Sequence, residues 1–304
     1  MPKKVRLVYS KDYAVDIGNH VFPTSKYKRI KDRLSQEESL KERIDYITPK
    51  PAPDEDILLA HEKSYLDKLK RGTLTQDEIL KLELPYSEDL VRASLVCCGG
   101  TTLASRIALD DKLGIHIGGG FHHAFPDHGE GFCVLNDIAV AIRSSMKAGL
   151  IKKALILDCD LHQGNGTAAI FSKDPNVYTF SIHQENNYPF FKPNSKLDIG
   201  LHDRAGDKEY LAAIYKNVPK IISDFKPNFI MYVAGADPYK DDQIGGLALT
   251  KEGLLKRDEF IYNNAIDHGV PIAVVLAGGY AFHEEDTVDI HYNTIMSGIN
   301  RMCS

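Results

Sequence analysis

Short apolar runs alternate with helical patterns over most of this chain, and this alternation constrains the fold more than any other feature. We predict strands at residues 5–9, 114–117, 154–157, 177–182, 229–234 and 272–276. Helical patterns lie near residues 136–148, 167–171, 208–225, 251–267 and 291–302. Alternating strands and helices favour a parallel sheet with helices on both faces. We therefore expect an α/β fold with a central, mainly parallel sheet, in a single domain that spans residues 1–304.

The first third of the chain is more polar and less regular. The sequence predicts a helix that begins at Ser35 and runs through Ile44. Thr75 and Glu78 have the spacing of a capping box, which predicts the start of another helix. Residues 87–109 indicate one longer helix, weakened by the glycine pair at 99–100.

Charge and composition exclude several classes of protein. The formal net charge is −5, which argues against nucleic-acid binding because a nucleic-acid-binding protein needs a basic face for phosphates. No apolar run reaches the ~18 residues that a membrane span needs. The five cysteines are odd in number and include no CxxC pair, which favours reduced thiols over a disulfide framework. We expect a cytoplasmic protein that binds neither nucleic acid nor membrane.

Polar side chains follow each core strand at the point where it is expected to end. They are His122, His123, Asp158, Asp160, His162, His183, Asp237 and Tyr280. Parallel sheets bind ligands at the carboxyl ends of their strands, so these groups are expected to converge at one edge. Asp158, Asp160 and His162 stand at alternate positions and would share one face of a continuing strand.

Asp160 and His162, completed by Asp237, form a candidate metal site. Carboxylate and imidazole both suit zinc, and three protein ligands leave a position open for water or substrate, as in catalytic sites. The alternative for Asp160 and His162 is a capped strand end with a hydrogen-bonded core histidine. Asp237, after a second strand, favours the metal site.

His122 and His123 follow three glycines and offer a general base and a general acid. The alternatives are a surface pair in a loop and a second metal site. Tyr280 follows Gly278 and Gly279, and its phenol would stabilise an oxyanion opposite a metal ion. Taken alone, Tyr280 would be a packing residue, but its place among the strand ends favours a catalytic role.

These motifs resemble the zinc-dependent histone deacetylase family, which has the arginase–deacetylase fold. The matching segments are GGGFHHA at 118–124, GEGFCVLND at 129–137, LDCDLHQGNG at 157–166, VAGAD at 233–237 and GGY at 278–280. The first three, in this order, are highly specific, whereas GGY alone is not. The resemblance covers nearly the whole chain and implies the same fold and a zinc-dependent amidohydrolase.

The resemblance also implies roles for the matched residues. The implied zinc ligands are Asp160, His162 and Asp237. The implied catalytic residues are His122 and His123 as the acid–base pair, Asp158 as the partner of His122, Asn165 beside His123, and Tyr280 as the group that polarises the carbonyl. The implied substrate-binding residues are Gly131, Phe132, Tyr188 and Ile244, with Phe132 and Tyr188 as opposite walls of a narrow tunnel. A structural potassium ion is implied at Asp158, Asp160, His162, Ser181 and Ile182.

Asn165 stands where many family members carry an aspartate, and the string HQGNG resembles the class IV branch. A neutral amide removes a negative charge that would raise the pKa of His123. We therefore expect His123 to stay neutral and to act as general base and then as general acid. His122, beside Asp158, is expected to be cationic and to act electrostatically.

Ile244 bears on the substrate. Polyamine-deacetylating relatives carry an acidic residue at about this position, so an apolar residue favours lysine in a protein or peptide. Class IV relatives favour long fatty-acyl groups on lysine, and the sequence leaves acyl length open. We expect a monomeric lysine deacylase that removes acetyl or longer fatty-acyl groups. The alternatives are a deacetylase of a small amide, such as an acetylated polyamine, and an inactive acyl-lysine-binding protein.

Overall fold

A computed structural model describes residues 4–302 of the chain. Within that range the strands are β1 (Val5–Val8), β2 (Ile44–Ile47), β3 (Leu113–His116), β4 (Ala154–Asp158), β5 (Val177–Gln184), β6 (Leu197–Leu201), β7 (Phe229–Val233) and β8 (Ile272–Val275). They form one sheet in the order β2-β1-β3-β8-β7-β4-β5-β6. Every pairing is parallel, which confirms the predicted α/β fold.

Helices connect the strands and cover both faces of the sheet. Over the same residues they are α1 (Lys26–Gln36), α2 (Asp54–Ile57), α3 (Lys63–Arg71), α4 (Gln76–Leu82), α5 (Glu88–Asp111), α6 (Asp137–Lys147), α7 (Asn165–Phe171), α8 (Asp207–Phe225), α9 (Lys251–Asp267) and α10 (Glu284–Met302). Short 3₁₀ helices lie at Lys11–Tyr13 and Glu38–Leu40.

The central strands are buried on both faces. Along β4, Leu155 and Leu157 belong to a core cluster that includes residues of α8, α9 and α10. Ala154 and Ile156 point to the opposite side and pack in a second cluster with residues of α5 and α6. Alternate residues of one strand therefore enter two cores, which explains why β4 is apolar throughout rather than alternating.

Several predicted elements have the expected positions. α9 covers the predicted residues 251–267. Thr75 and Glu78 form the capping box of α4, as predicted. α5 continues through the glycine pair at 99–100, and a Cβ at Gly99 would lie 1.9 Å from the carbonyl oxygen of Lys50. The glycine therefore allows the loop at Lys50 to pack directly on the helix.

The predicted helix from Ser35 to Ile44 is wrong. Ser35 lies near the end of α1, where its hydroxyl donates to the Lys31 carbonyl at 2.9 Å. The chain turns after α1, and Ile44 begins β2, where it pairs with Val5 of β1. The apolar residues at 40 and 44 have helical spacing, but pairing with the sheet edge determines the conformation of Ile44.

The strand β6 was not predicted from the sequence. It pairs with β5 at the edge of the sheet, and most of its residues are only partly buried. Asp198 and Gly200 lower its strand propensity, so hydrogen bonding to β5 rather than local sequence produces the strand.

The structure also bears on the cysteines and on membrane spans. Cys97, Cys98, Cys133 and Cys159 are buried free thiols, and Cys303 lies outside the described residues. Between residues 4 and 302, no helix combines the length and the apolar character that crossing a membrane requires.

Candidate active site

The loops at the carboxyl ends of the central strands are joined by backbone hydrogen bonds. Ala236 N donates to Gly278 O at 2.9 Å, which connects the loops after β7 and β8. Leu276 N donates to Gly118 O at 3.1 Å, which connects the loops after β8 and β3. These loops therefore form one surface and bring together side chains that are distant in sequence.

Asp160, His162 and Asp237 lie together on this surface, as the sequence predicts. Each offers a ligand atom within 4.8 Å of the others, and all three residues are buried. His162 Nδ1 lies 3.1 Å from Asp160 Oδ1 and 3.2 Å from Asp237 Oδ2. The three side chains therefore converge on a single point below the surface.

The prediction that Asp158, Asp160 and His162 share one face of a continuing strand is wrong. β4 ends at Asp158, so Asp160 and His162 do not share a strand face with it. Asp160 N donates to Asp158 Oδ1 at 3.2 Å, and His162 N donates to Asp160 Oδ1 at 2.9 Å. Successive carboxylate-capped turns, rather than a strand, orient the two residues.

The hydrogen bonding of Asp237 fits a bound cation. Its Oδ1 accepts from Leu161 N at 2.9 Å. Within residues 4–302, its buried Oδ2 lies 3.2 Å from His162 Nδ1 but makes no well-formed hydrogen bond. Burial and the neighbouring Asp160 carboxylate raise the pKa of Asp237 to about 7. Burial lowers the pKa of His162, but Asp160 and Asp237 outweigh it and raise that pKa to about 10. Both raised pKa values mean that positive charge is stabilised within the cluster. Its carboxylate and imidazole groups are also ligands that suit zinc.

His122 and His123 are both buried, which argues against the alternative that they form a surface pair in a loop. Their Nε2 atoms lie 3.1 Å apart. His122 Nδ1 lies 2.7 Å from Asp158 Oδ2, and His123 Nδ1 lies 2.6 Å from Asn165 Oδ1. Each imidazole is therefore oriented by a different side chain, one charged and one neutral.

The two partners give the histidines opposite charge preferences. Burial lowers the pKa of His122, but the Asp158 and Asp160 carboxylates outweigh it and raise this pKa to about 9. Burial and then the nearby His122 lower the pKa of His123 well below its usual value, and the Asn165 hydrogen bond only partly opposes this. These directions agree with the expected cationic His122 and neutral His123.

Tyr280 is largely buried at the edge of the same site. Its backbone N donates to Asp242 Oδ2 at 2.8 Å. Burial, followed by the charges of Asp237 and Asp160, raises the pKa of the phenol well above its usual value. Tyr280 is therefore kept as a protonated hydroxyl that can donate a hydrogen bond.

A sequence model of the histone deacetylase domain matches residues 20–293 of the chain. The chain belongs to the histone deacetylase family of hydrolases. This match includes the histidine pair, the Asp160–His162–Asp237 cluster and Tyr280.

Individual relatives agree with this assignment. The chain is 38% identical over 287 residues to an uncharacterised protein of Picosynechococcus sp., covering 94% of this chain and 95% of that protein. It is 29% identical to histone deacetylase 2 of Arabidopsis thaliana, covering 91% and 75%. It is 30% identical to the acetoin utilization protein AcuC of Staphylococcus aureus, covering 71% of this chain and 61% of AcuC. The crystal structure of the HDA15 HD domain has the same fold, with a TM-score of 0.79 at 22% identity over 98% of this chain and 94% of that one.

A cavity of about 180 Å³ leads from the surface of this deacetylase-family chain to His123 and His162. Its lining includes the predicted substrate-binding residues Gly131, Phe132, Tyr188 and Ile244. Gly131 and Phe132 both have positive φ, 51° and 66°, and this tight turn directs the Phe132 ring into the cavity wall. The ring of Tyr188 lies edge-on to His123 at 5.0 Å.

Sequence reasoning missed three residues of the site. Glu130 accepts a hydrogen bond from Asn165 Nδ2 at 2.6 Å. Asp242 holds the backbone of Tyr280, and the fully buried Lys26 donates to the Ala277 carbonyl at 2.7 Å. Glu130 lies inside the matched GEGFC motif, and that position could have identified it as a site residue. Asp242 and Lys26 lie outside every motif.

The predicted potassium site stays a prediction. Asp158 of β4 and Ser181 of β5 are register partners in the sheet, so the two lie side by side. Ser181 Oγ lies 2.9 Å from His183 Nδ1, so its hydroxyl already has a polar neighbour. Ile182 is buried in the adjoining core cluster.

Proposed function

We propose that this protein is a zinc-dependent lysine deacylase that removes acetyl groups from lysine side chains of proteins or peptides. One observation carries the proposal: the histidine pair, Asp160, His162 and Tyr280 line a single cavity at the bottom of the aromatic-walled entrance. Asp237 does not line this cavity but completes the metal cluster with Asp160 and His162. A base, a cation site and a phenol donor around one enclosed point are the groups that amide hydrolysis requires.

Asp160, His162 and Asp237 would hold the zinc ion. When bound, the ion would polarise the acyl carbonyl and activate the attacking water. The protein fixes the donor atoms in advance, since Gly278 N donates to Asp160 Oδ2 and Leu161 N donates to Asp237 Oδ1.

His123 is the proposed general base and general acid. Its Nε2 accepts a proton from water as the water oxygen bonds to the acyl carbon. The same proton then passes to the lysine nitrogen as the C–N bond breaks, leaving a carboxylic acid and a neutral amine. The acid then loses its proton to the amine, which gives a carboxylate and an ammonium group. The low pKa of His123 supports this role because a base must begin unprotonated. His122, held as a cation by Asp158, stabilises the developing negative charge.

Tyr280 is the proposed donor to the carbonyl oxygen. Its hydroxyl keeps its proton because burial and the nearby carboxylates raise its pKa. A hydrogen bond that strengthens as the oxygen becomes negative lowers the barrier for attack.

The size of the inner cavity favours acetyl over long acyl groups. This cavity, where the histidine pair meets Phe22, Tyr27, Gly120 and Cys133, has a total volume of about 20 Å³. Such a volume is close to the space that one water molecule needs, about 10–15 Å³ on the same measure. A methyl group fits there, whereas a fatty-acyl chain would require the aromatic side chains to move.

Glu83 supports a second candidate function, the deacetylation of small cationic amines. The residue lines the outer cavity together with Ile244, so the entrance carries a carboxylate although position 244 is apolar. A carboxylate there would attract a free polyamine cation. Protein lysine remains the favoured substrate because Ile244 lines the entrance where polyamine-deacetylating relatives carry an acidic residue.

Asn165 supports placement of the chain in the class IV branch. A cytoplasmic enzyme that binds neither nucleic acid nor membrane completes the proposal and follows from the composition and charge. A monomeric state follows from the family resemblance.

Turnover of three substrate classes tests the proposal. We expect the zinc-loaded protein to have a higher kcat/KM for an acetyl-lysyl peptide than for a myristoyl-lysyl peptide or an acetylpolyamine. Glu83→Gln should lower kcat/KM for the acetylpolyamine and leave the peptide values nearly unchanged. A wild-type preference for the polyamine would establish the second function, and zinc-loaded protein without turnover of any substrate would refute both.

A further inference from the structure

We propose that Glu130 is a positioning residue: it fixes the tautomer of His123 through the Asn165 amide and anchors the tunnel wall through Tyr188. The inference rests on the proposed function, because it assigns His123 the role of base.

The Glu130 carboxylate connects two parts of the site through one oxygen. Glu130 Oε1 accepts from Asn165 Nδ2 at 2.6 Å and from the Tyr188 hydroxyl at 2.8 Å. The other oxygen, Oε2, lies 3.3 Å from His128 Nε2. Reciprocal backbone hydrogen bonds between Glu130 and Cys133, at 3.1 and 2.9 Å, hold the carboxylate in place.

An amide beside an imidazole can face it with either end, and the two orientations have opposite chemical consequences. If the NH₂ group of Asn165 faced His123 Nδ1, that nitrogen would have to accept, and the imidazole proton would sit on Nε2. The Nε2 lone pair needed for proton abstraction would then be lost. A neutral partner at position 165 therefore needs something that fixes its orientation.

Glu130 supplies that constraint. A carboxylate only accepts hydrogen bonds, so it requires the NH₂ end of Asn165 and leaves Oδ1 for His123. Gly166 N reinforces this orientation by donating to the same Oδ1 at 3.0 Å. Oδ1 can only accept from His123, which places the imidazole proton on Nδ1 and leaves Nε2 as the acceptor. The Nε2–H of a cationic His122, 3.1 Å from His123 Nε2, favours the same tautomer from the other side.

The arrangement keeps a negative charge near His123 without direct contact. Burial raises the pKa of Glu130, but hydrogen bonds from His128, Tyr188 and Asn165 outweigh it, and the pKa lies below its usual value. The Glu130 side chain is 21% exposed, so solvent screens its charge more than it would screen a buried aspartate at position 165. His123 is thereby oriented but not held as a permanent cation.

Exchanging the Asn165 amide and the Glu130 carboxylate tests this inference. In Asn165→Asp, two carboxylates would meet at hydrogen-bond distance, and we expect kcat/KM for the acetyl-lysyl peptide to fall about 10- to 100-fold, the range for supporting residues of this kind. Adding Glu130→Gln restores a donor opposite the new carboxylate. We expect the double variant to regain at least about 10-fold over Asn165→Asp. A double variant no more active than Asn165→Asp would overturn the inference, since a purely structural Glu130 predicts additive losses.

A second readout does not depend on turnover. In NMR spectra of ¹⁵N-histidine-labelled protein, we expect His123 to give the ring-nitrogen signals of the Nδ1–H tautomer. Glu130→Ala should shift them towards the Nε2–H tautomer, whereas Glu130→Gln, which keeps an acceptor oxygen, and Tyr188→Phe, which removes only the wall contact, should retain Nδ1–H. The exposed Asp127→Asn, which also contacts His128, is the matched control.

An Nε2–H tautomer in the wild type, or no change in Glu130→Ala, would contradict the inference. If the protein turned over none of the substrates, the proposed function would fail, and the tautomer signals would still decide the role of Glu130.

Discussion

Single atoms decide whether the metal cluster can form, and Gly278 is the clearest case. A Cβ at this position would lie 2.1 Å from Asp237 Oδ2 and 2.7 Å from Asp160 Oδ2. Both oxygens belong to the cluster, so neither can move without changing its geometry. The sequence places the glycine beside Tyr280, but only the structure identifies the carboxylates that require it.

Gly278→Ala should therefore weaken zinc binding. We expect zinc affinity to fall at least about 10-fold, a typical loss when support of a metal ligand is disturbed, as measured by competition with a chromophoric chelator. Gly206→Ala is the matched control, because a Cβ there would contact only the Ala248 carbonyl oxygen, at 3.7 Å. Equal zinc affinity in the wild type and Gly278→Ala would contradict the description of the cluster.

At the scale of secondary-structure elements, a buried hydrogen-bonded chain holds the loop that carries the histidine pair. Tyr13 donates to His116 at the end of β3, and His116 contacts Thr101 of α5 at 2.9 Å. Thr101 donates to Asp137 at the start of α6. Asp137 in turn accepts from the backbone N of residues 120 and 121, at 3.0 and 2.7 Å. Three elements thereby fix the turn that precedes His122.

Asp137→Asn tests this chain. Thr101 and the backbone N–H groups all donate to Asp137, so an amide NH₂ at that position faces at least one donor. We expect a loss of about 1–3 kcal/mol in the free energy of unfolding, the range for a buried unsatisfied polar group, together with reduced turnover. Urea denaturation measures the first quantity. An Asp137→Asn variant with wild-type stability would show that the turn is held by other contacts.

The sequence predicted elements well where a segment's own pattern matched its surroundings. The fully buried β4 and the capped α4 are of this kind. β2 and β6 escaped prediction because their conformation comes from pairing with β1 and β5 rather than from their own residues. In the site, the motif residues were found, whereas Asp242 and Lys26 act through backbone contacts that leave no sequence pattern.

At the scale of the whole molecule, buried neutral histidines make stability depend on pH. His61 is buried, with Nδ1 at 2.9 Å from the Phe125 carbonyl and Nε2 accepting from Asn136 N at 2.9 Å. Burial lowers its pKa from 6.5 to about 4, although the backbone carbonyls of Phe125 and Pro126 oppose this. Protonation would abolish the acceptor at Nε2. Because the folded pKa lies below the unfolded one, this contribution is complete above pH 6.5 and is lost as the pH falls towards about 4.

We expect His61 to account for about 3 kcal/mol of acid destabilisation, since one pKa unit corresponds to about 1.4 kcal/mol. Urea denaturation at neutral and acidic pH should show a smaller loss in His61→Gln than in the wild type. His283→Gln, at an exposed histidine, is the control. The same pH-dependent loss in all three proteins would exclude His61 as the cause.

The central claim is that Asp160, His162 and Asp237 hold a zinc ion that the surrounding residues use to hydrolyse acyl-lysine. Titration of the metal-free protein with zinc, while binding and turnover of an acetyl-lysyl peptide are followed together, tests it most directly. The account predicts that activity rises in proportion to a single bound zinc ion. It also predicts that Asp160→Asn loses both zinc binding and turnover, and that Tyr280→Phe binds zinc but loses turnover. Full activity without zinc, or in Asp160→Asn, would contradict it.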